Sequence, residues 1–188
     1  MKKSLGAKTM SMPEPVFLIA TYDENGTPDI MNAAWVGQVS PKHISMSLSN
    51  HTTTRNLDLN KEFTVSFATK DYVIAADWVG IVSLDKDPDK IKKSGFTFTK
   101  SETVNAPVIN ELPVALECRL VAAQEEFGET RYVGEVVNVL ADESVLNEKG
   151  GIDSGKAQFI GFDPAGLCYR VFGEVAASAF GSGKALDK

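Results

Sequence analysis

Histidine and cysteine are both scarce, with two of each in 188 residues. Cys118 and Cys168 do not form a CxxC pair, and neither lies near a pair of histidines. The four suitably spaced ligands of a zinc site are missing, so no metal site is predicted. We expect both cysteines to be buried structural thiols. A histidine-dependent hydrolytic triad lacks support, because His43 and His51 lie in no nucleophile-elbow motif.

Positive charge and long hydrophobic runs are also lacking. Lys and Arg number 19 against 25 Asp and Glu, which gives a formal net charge of -6 at pH 7. This balance argues against a nucleic-acid or anionic-membrane partner, although it leaves room for a local cationic pocket. No run approaches 18 apolar residues, and the run at 16–20 is too short for the core of a signal peptide. We therefore expect a soluble, cytoplasmic protein.

Two common nucleotide-binding motifs are absent or incomplete. The stretch "GGIDSGKA" has Gly150, Gly155 and Lys156 at the spacing of a phosphate-binding loop. Ala157 stands where such a loop needs Ser or Thr to bind magnesium, and no buried strand precedes the stretch. No GxGxxG motif follows a strand, so a Rossmann dinucleotide site is unsupported.

Strand-like patterns dominate the chain. An Asn25-Gly26 pair between two apolar runs predicts a β-hairpin. Strands are predicted at residues 16–22, 30–39, 43–49, 62–68, 112–123, 130–141, 158–162 and 167–172. Helices are predicted at 55–59, capped by a threonine of the preceding run, at 71–83, and from Asp87-Pro88 to Gly95; residues 147–156 form a loop. This density of strands predicts a single domain with a mainly β fold, an antiparallel barrel with flanking helices.

One predicted strand carries small hydroxyl side chains on a single face. Ser45, Ser47 and Ser49 alternate with Ile44, Met46 and Leu48. If the apolar residues face the core, the serines face the other way, and they leave room for a flat group against the backbone. A solvated strand face is the alternative interpretation, although serine has a weak preference for strands.

The segment after this strand has the features of an anion site. Thr52, Thr53 and Thr54 precede Arg55 at a predicted helix start, where backbone N–H groups can bind phosphate. Arg55 would add a charge-assisted hydrogen bond. On the preceding strand, the small residues of Asn32-Ala33-Ala34 would let amides approach a planar ring, with Trp35 as a wall. These features indicate an aromatic, phosphorylated ligand; the alternative is a capped helix after an ordinary strand.

The chain resembles the flavin reductase-like, FMN-binding split-barrel family, and within it the flavoredoxin branch. The matching pieces occur in order and span nearly the whole chain: "PVFLIATYDENGTPDIMNAAWVGQVS", "SMSLSNHTTTRNL", "FTVSFAT", "ADWVGIVSLDKDPDKIKKSGFT", "LECRLV", "RYVGEVVNV" and "YRVFGEVAASAFGSGK". The resemblance implies a six-stranded split β-barrel of Greek-key type over residues 1–188, with FMN near the interface of a homodimer. Residues 1–12 and 182–188 are then expected to be less ordered or associated with the dimer.

The resemblance also implies which residues bind the cofactor. One group would line the flavin ring or meet its edge: Asn32, Ala33, Ala34, Trp35, Ser47, Leu48 and Ser49. A second would hold the ribityl phosphate: Thr52, Thr53, Thr54, Arg55 and Asn56. Three further candidates are Thr69, Asp71 and Lys92, with a solvated helix face as the alternative role for Lys92 or its neighbour Lys93.

One position departs from the family pattern. Relatives often carry a histidine five residues before the glycine that matches Gly134, and this chain has Glu129 there. If that histidine handles substrate or protons in relatives, this chain does so differently or not at all.

The flavin implied by the resemblance is compatible with two functions. One is an FMN-dependent oxidoreductase that uses NAD(P)H as electron donor. The other is an electron-transfer protein that exchanges electrons with a redox protein partner without turnover of a nicotinamide. In both, the flavin carries the redox chemistry, which is consistent with the scarcity of histidine. A barrel that binds some other small molecule is the third possibility.

Overall fold

The computed structural model describes residues 1–186, and its regular structure is mainly β. In this part of the chain the strands are β1 (Glu14–Pro15), β2 (Phe17–Tyr22), β3 (Pro28–Ala33), β4 (Val36–Ser40), β5 (His43–Leu48), β6 (Glu62–Phe67), β7 (Phe98–Lys100), β8 (Pro107–Ile109), β9 (Val114–Glu126), β10 (Glu129–Ala141), β11 (Ile160–Asp163) and β12 (Cys168–Val171). The α-helices are α1 (Thr52–Asn60), α2 (Val73–Ile81), α3 (Lys90–Ser94) and α4 (Ser154–Ala157). The predicted mainly β fold is confirmed. Of the predicted C-terminal segment 182–188, Ser182–Leu186 forms a 3₁₀ turn, and residues 187 and 188 lie outside the described residues.

The central sheet curls into a barrel because of one very short connection. Its seven strands pair antiparallel in the order β3-β2-β6-β9-β10-β5-β4. The two edge strands, β3 and β4, are consecutive in the chain and are separated only by Ala34 and Trp35. So short a connection spans about 10 Å, so the two edges must approach each other.

The prediction of a single strand at 30–39 is therefore wrong, since these residues belong to two strands, β3 and β4, at opposite edges of the sheet. The Val36 N–H donates to the Ala34 carbonyl, and the Ser47 N–H of β5 donates to the Trp35 carbonyl, each over 2.9 Å. These bonds turn the chain from one edge to the other. If β3 and β4 are counted together as one strand, the barrel has six strands, the number that the family resemblance implies.

Strand β5 confirms the predicted alternation of hydroxyl and apolar side chains. Ile44, Met46 and Leu48 are buried in the barrel core, whereas Ser45 and Ser47 on the other face are partly exposed. The core also depends on a close approach of the Phe63 ring, from β6, to Gly134 of β10. A Cβ at Gly134 would collide with the ring of Phe63, so glycine makes room for that buried aromatic residue.

Helix α1 begins earlier than predicted, at Thr52, with His51 as its N-cap. The expectation that a threonine caps this helix is wrong. Thr54 lies inside the first turn, where its hydroxyl accepts a 2.8 Å hydrogen bond from the His51 N–H. The same hydroxyl lies 2.9 Å from the His51 carbonyl and 3.2 Å from the Ser49 carbonyl, to which it can donate. Its hydrogen-bonding capacity is therefore used in fixing the helix start.

The remaining helices lie near their predicted places. Helix α2 follows a 3₁₀ turn at Lys70–Tyr72, and α3 ends at Gly95, whose φ of 76° suits glycine. The hairpin of β7 and β8 was not predicted, and α4 forms within the predicted loop 147–156. Among residues 1–186, no helix has both the length and the apolar composition that crossing a membrane requires.

A buried ion pair ties α1 and α3 to strand β3. Lys90 Nζ lies 3.0 Å from Asp29 Oδ1 and also donates to the Ile30 carbonyl, and both charged side chains are at most 3% exposed. The Thr53 hydroxyl donates to the other oxygen, Asp29 Oδ2, over 2.7 Å. The carboxylate therefore joins the first turn of α1 to the amine of α3, so loss of either charge would leave the other buried and unpaired.

The two cysteines differ in burial, so the expectation of two buried thiols holds for Cys118 but not for Cys168, which is partly exposed. Burial, and secondarily the charge of Glu117, raises the pKa of Cys118 to about 12.

We predict that an aromatic disulfide reagent at mildly alkaline pH labels Cys168 in the native protein and Cys118 only after denaturation. Mass spectrometry of digested, labelled protein measures the two sites. Equal native labelling of both thiols would contradict the packing around Cys118.

We also predict that Lys90→Met lowers the free energy of unfolding by about 3–5 kcal/mol, because it leaves Asp29 buried without its counter-ion. Urea denaturation followed by circular dichroism measures the change. Lys93→Met is the matched control, because this lysine lies on the same helix but pairs with Asp87 at the surface. The control should keep nearly full stability. Similar losses in both variants would contradict a special role for the buried pair.

Candidate functional site

Three cavities that share lining residues lie beside the barrel and are together called the groove. The first, called the α1 cavity, has a volume of about 620 Å³ and is lined by Asp29, Met31, Asn50, His51, Thr52, Thr53, Val79, Gly80, Ile81, Val82, Ser83, Asp85, Lys86, Asp87 and Lys90. It shares Asn50 with a cavity of about 430 Å³, the hairpin cavity, lined by residues 48–50 and 125–130. It shares Gly80 and Ile81 with a cavity of about 230 Å³, the α2 cavity. Ligand pockets usually measure a few hundred to 1,000 Å³, so the groove is large enough for a cofactor.

The N-terminus of α1 opens into the α1 cavity. The first N–H groups of a helix have no acceptors within the helix, and the helix dipole adds partial positive charge there. Thr52 and Thr53 line the cavity. The Thr53 hydroxyl is committed to the buried Asp29, whereas the Thr52 hydroxyl accepts a 3.0 Å bond from Arg55 and interacts with the exposed Asp85, partners that a ligand can displace. Of the two cavity hydroxyls, Thr52 is therefore the better placed to bind an anion.

Arg55 lies at the rim, engaged with an acidic residue. Its Nη2 lies 2.6 Å and 2.8 Å from the two carboxylate oxygens of Asp85, and both side chains are about half exposed. Hydrogen bonds from Arg55 and then from Thr52 lower the pKa of Asp85, so the carboxyl stays ionised at neutral pH. Asp85 lines the α1 cavity, whereas Arg55 is not among the residues that line it. The predicted phosphate-binding guanidinium therefore already holds an anion that belongs to the protein.

The α2 cavity contains two of the residues predicted for the flavin ring, Asn32 and Ala34. Asn32 Nδ2 donates to the Ala76 carbonyl of α2 over 3.0 Å. A Cβ on Gly80 would lie 2.8 Å from Asn32 Cβ, so glycine lets α2 pack closely on β3. Tyr169, in the same cavity, donates to Asp77 over 2.6 Å. Its pKa is raised to about 12, first by burial and then by Asp77, so its hydroxyl remains protonated at physiological pH.

The hairpin cavity contains Leu48 and Ser49, predicted to meet the edge of the flavin, and Glu129, the departure from the family pattern. The Ser49 hydroxyl donates to Glu129 Oε1 over 3.1 Å. Within residues 1–186, the other oxygen, Glu129 Oε2, is buried and has no hydrogen-bond partner. A buried acceptor without a partner is unfavourable, so this atom is suited to receive a hydrogen bond from a bound molecule.

The other predicted site residues are dispersed. Ala33 is packed in the barrel core and Thr54 is buried at the start of α1, whereas Trp35 is 63% exposed and Ser47 is partly exposed on β5. Asn56 is buried, and its Nδ2 has no hydrogen-bond partner among the described residues.

None of these residues lines the three cavities, and three further candidates also lie outside them. Thr69 is buried and pairs with Phe159 through a backbone bridge. Asp71 lines a separate cavity that also contains Trp78, and Lys92 is exposed on α3. The structure does not bring these three to the groove, and their roles stay predictions.

Five charged residues that line the α1 cavity were missed by the sequence analysis: Asp29, Asp85, Lys86, Asp87 and Lys90. Four of them occur in the segment "SLDKDPDK", whose alternating charges were visible in the sequence. That pattern alone indicates a solvated loop. Only the fold brings this loop opposite the start of α1.

The donor set of the groove fits a phosphorylated flavin. The helix N-terminus, the Thr52 hydroxyl and Arg55 suit a phosphate, and the adjoining α2 cavity contains Ala34 and Gly80 together with the aromatic residues Phe162 and Tyr169. The unpartnered oxygen of Glu129 in the hairpin cavity is a further polar atom that a ligand could satisfy.

Comparisons with known proteins agree with this fit. Residues 9–159 match the model of the flavin reductase like domain family. Flavoredoxin of Desulfovibrio vulgaris (Miyazaki F) has 39% sequence identity and a TM-score of 0.92, over 98% of this chain and 100% of that one. Flavoredoxin from Methanosarcina acetivorans has 26% identity and a TM-score of 0.89, over 99% of each chain.

A more distant structure shares the fold alone. It is the FMN-binding domain of a flavin reductases-like enzyme from Shewanella baltica, with 20% identity and a TM-score of 0.75, over 88% of this chain and 89% of that one. The predicted family and its split-barrel fold are confirmed by these matches. This chain belongs to the flavin reductase-like domain family.

Proposed function

We propose that this protein binds FMN in the groove and acts as an NAD(P)H-dependent flavin oxidoreductase. The observation that carries the proposal is the junction of the α1 and α2 cavities at Gly80 and Ile81. The start of α1, which is suited to phosphate, then lies beside a cavity that contains Ala34, Gly80 and the aromatic residues Phe162 and Tyr169. The α1 cavity therefore suits the phosphate, and the α2 cavity beside it suits the ring.

At the phosphate end, the proposed contacts are the first N–H groups of α1, the Thr52 hydroxyl and Arg55. Thr53 and Thr54 contribute through their backbone, because their hydroxyls already bond to protein atoms. Asn56 supplies a buried amide that has no partner among the described residues. Of the three threonine hydroxyls in this segment, only that of Thr52 is therefore proposed to bind the phosphate.

At the ring end, Asn32, Ala34 and Trp35 would border the ring, with the backbone and hydroxyls of residues 47–49 at its edge. The bond from the Ser47 N–H to the Trp35 carbonyl holds these two segments together. The indole of Trp35 is available for stacking because it is mostly exposed.

Bound FMN would supply the redox chemistry, by accepting a hydride at N5 and releasing one or two electrons. The chain's own contribution is binding and electrostatics. Backbone N–H groups at the ring's edge would stabilise negative charge on it, in the manner of an oxyanion hole. No side chain is required as general acid or base for this role, so no catalytic residue is assigned.

A second candidate function is electron transfer between protein partners, without nicotinamide turnover. Similarity to the Desulfovibrio flavoredoxin over nearly the full length of both chains favours it. We also propose a homodimer, since apolar side chains such as Trp35, Val39 and Phe127 are exposed on the single chain. A two-fold partner would cover such surface. The second subunit would then border the groove.

The cofactor and the electron donor are tested together. We predict that the protein is yellow as purified, or stays yellow after incubation with FMN and removal of unbound flavin by gel filtration, and that denaturation releases FMN rather than FAD. Chromatography of the released flavin measures this. Steady-state oxidation of NADH or NADPH is then expected. A redox-active bound flavin without turnover of either nicotinamide would instead support the electron carrier, and a protein that stays colourless with FMN would contradict both functions.

We further predict that Arg55→Ala weakens FMN binding by about 1–3 kcal/mol, because a charge-assisted hydrogen bond to the phosphate is lost. Riboflavin, which lacks the phosphate, should bind both proteins equally. Titration of flavin fluorescence measures both affinities.

Arg119→Ala is the matched control, since this exposed arginine pairs with Glu62 and lines none of the three cavities. It should leave FMN affinity unchanged. Equal losses for FMN and riboflavin in Arg55→Ala would mean that the guanidinium acts elsewhere than on the phosphate.

A further inference from the structure

Asp85 both lines the α1 cavity and binds Arg55, which is not itself among the residues that line this cavity. A single nitrogen, Arg55 Nη2, serves both carboxylate oxygens and Thr52 Oγ1, at 2.6, 2.8 and 3.0 Å. The guanidinium nitrogen that contacts Thr52 at the start of α1 is therefore already bound to a carboxylate of the protein.

The loop between α2 and α3 holds Asp85 in this place. Asp85 N donates to Ser83 Oγ over 3.3 Å, and the N–H groups of Lys86 and Asp87 both donate to the Ser83 carbonyl over 3.0 Å. These bonds form a tight turn that presents Asp85 to the first turn of α1. Because the loop's own backbone positions it, the carboxylate remains near the cavity even when the arginine moves.

The contact between Asp85 and Arg55 is easily exchanged. The two side chains are 51% and 50% exposed, and exposed ion pairs contribute little to stability. The buried pair of Asp29 and Lys90 in the same cavity wall is at most 3% exposed, so it is fixed by comparison. A phosphate carries more negative charge than a carboxylate and has three acceptor oxygens, so it competes well for the guanidinium.

We propose that Asp85 is a specificity-determining residue that competes with the phosphate of FMN for Arg55 and so lowers the preference of the groove for FMN over riboflavin. The inference rests on the proposed function. Binding of FMN then includes the exchange of one anion on Arg55 for another, and the displaced carboxylate stays close enough to repel the phosphate. Riboflavin requires no exchange and experiences no such repulsion.

The test compares the dissociation constants of FMN and riboflavin for the wild-type chain and Asp85→Asn, by flavin fluorescence titration at low and at high salt. Asparagine keeps the size of the side chain and removes its charge. We expect FMN to bind about 3- to 10-fold tighter to the variant at low salt, with a smaller gain at high salt. Riboflavin should bind both proteins equally. Circular dichroism checks that Asp85→Asn is folded, which we expect because the changed side chain is half exposed.

Asp87→Asn is the matched control. Asp87 lies on the same loop and lines the same cavity, but it pairs with Lys93 at 2.7 Å instead of Arg55. It removes the same charge without freeing the arginine, so its gain in FMN affinity should be clearly smaller. Equal gains in both variants would mean that any negative charge on this loop weakens FMN binding, whether or not it binds Arg55. That result would overturn the proposal.

Two other results would also overturn it. Weaker FMN binding to Asp85→Asn would make Asp85 a residue that holds Arg55 in position for the phosphate. If the ratio of FMN affinity to riboflavin affinity is the same in the wild-type chain and in Asp85→Asn, Asp85 does not determine specificity. Both leave the proposed function standing, because the wild-type protein still binds flavin. A wild-type chain that binds neither flavin would refute the proposed function, and this inference with it.

Discussion

The buried ion pair of Asp29 and Lys90 is the constraint on which the geometry of the groove depends. It joins an edge strand of the barrel to α3, and through the Thr53 hydroxyl it also fixes the first turn of α1. The wall of the α1 cavity is thus made of elements that cannot shift independently. An anion site formed by backbone N–H groups needs such rigidity, because its donors must be in place before the ligand arrives.

Rigid and exchangeable charges lie side by side in this cavity. The pair of Asp29 and Lys90 is buried and structural, whereas Arg55 and Asp85 are exposed and can find other partners. This division lets the same cavity keep its shape and still adapt to an anion. The buried oxygen of Glu129 in the hairpin cavity, which has no partner among the described residues, adds a polar group to the groove.

Local patterns predicted much of the fold, but not the contacts that build the site. The period of two in β5 and the Asn25-Gly26 turn were readable because each is set by neighbouring residues. The break at Ala34 and Trp35 was not, because the apolar pattern continues across it and the turn depends on a bond to Ser47. The pairing of Asp29 with Lys90 joins residues 61 apart in sequence, and nothing local marks it. The assignment of residues to FMN came from the family resemblance, and it stays a prediction.

The central claim is that the start of α1 receives the phosphate of FMN. The most direct measurement is a crystal structure of the protein grown with FMN. We expect the phosphate within hydrogen-bond distance of the first N–H groups of α1 and of the Thr52 hydroxyl, with Arg55 turned from Asp85 toward it. A phosphate bound elsewhere, with the bond between Arg55 and Asp85 intact and the α1 cavity filled only by water, would contradict the account.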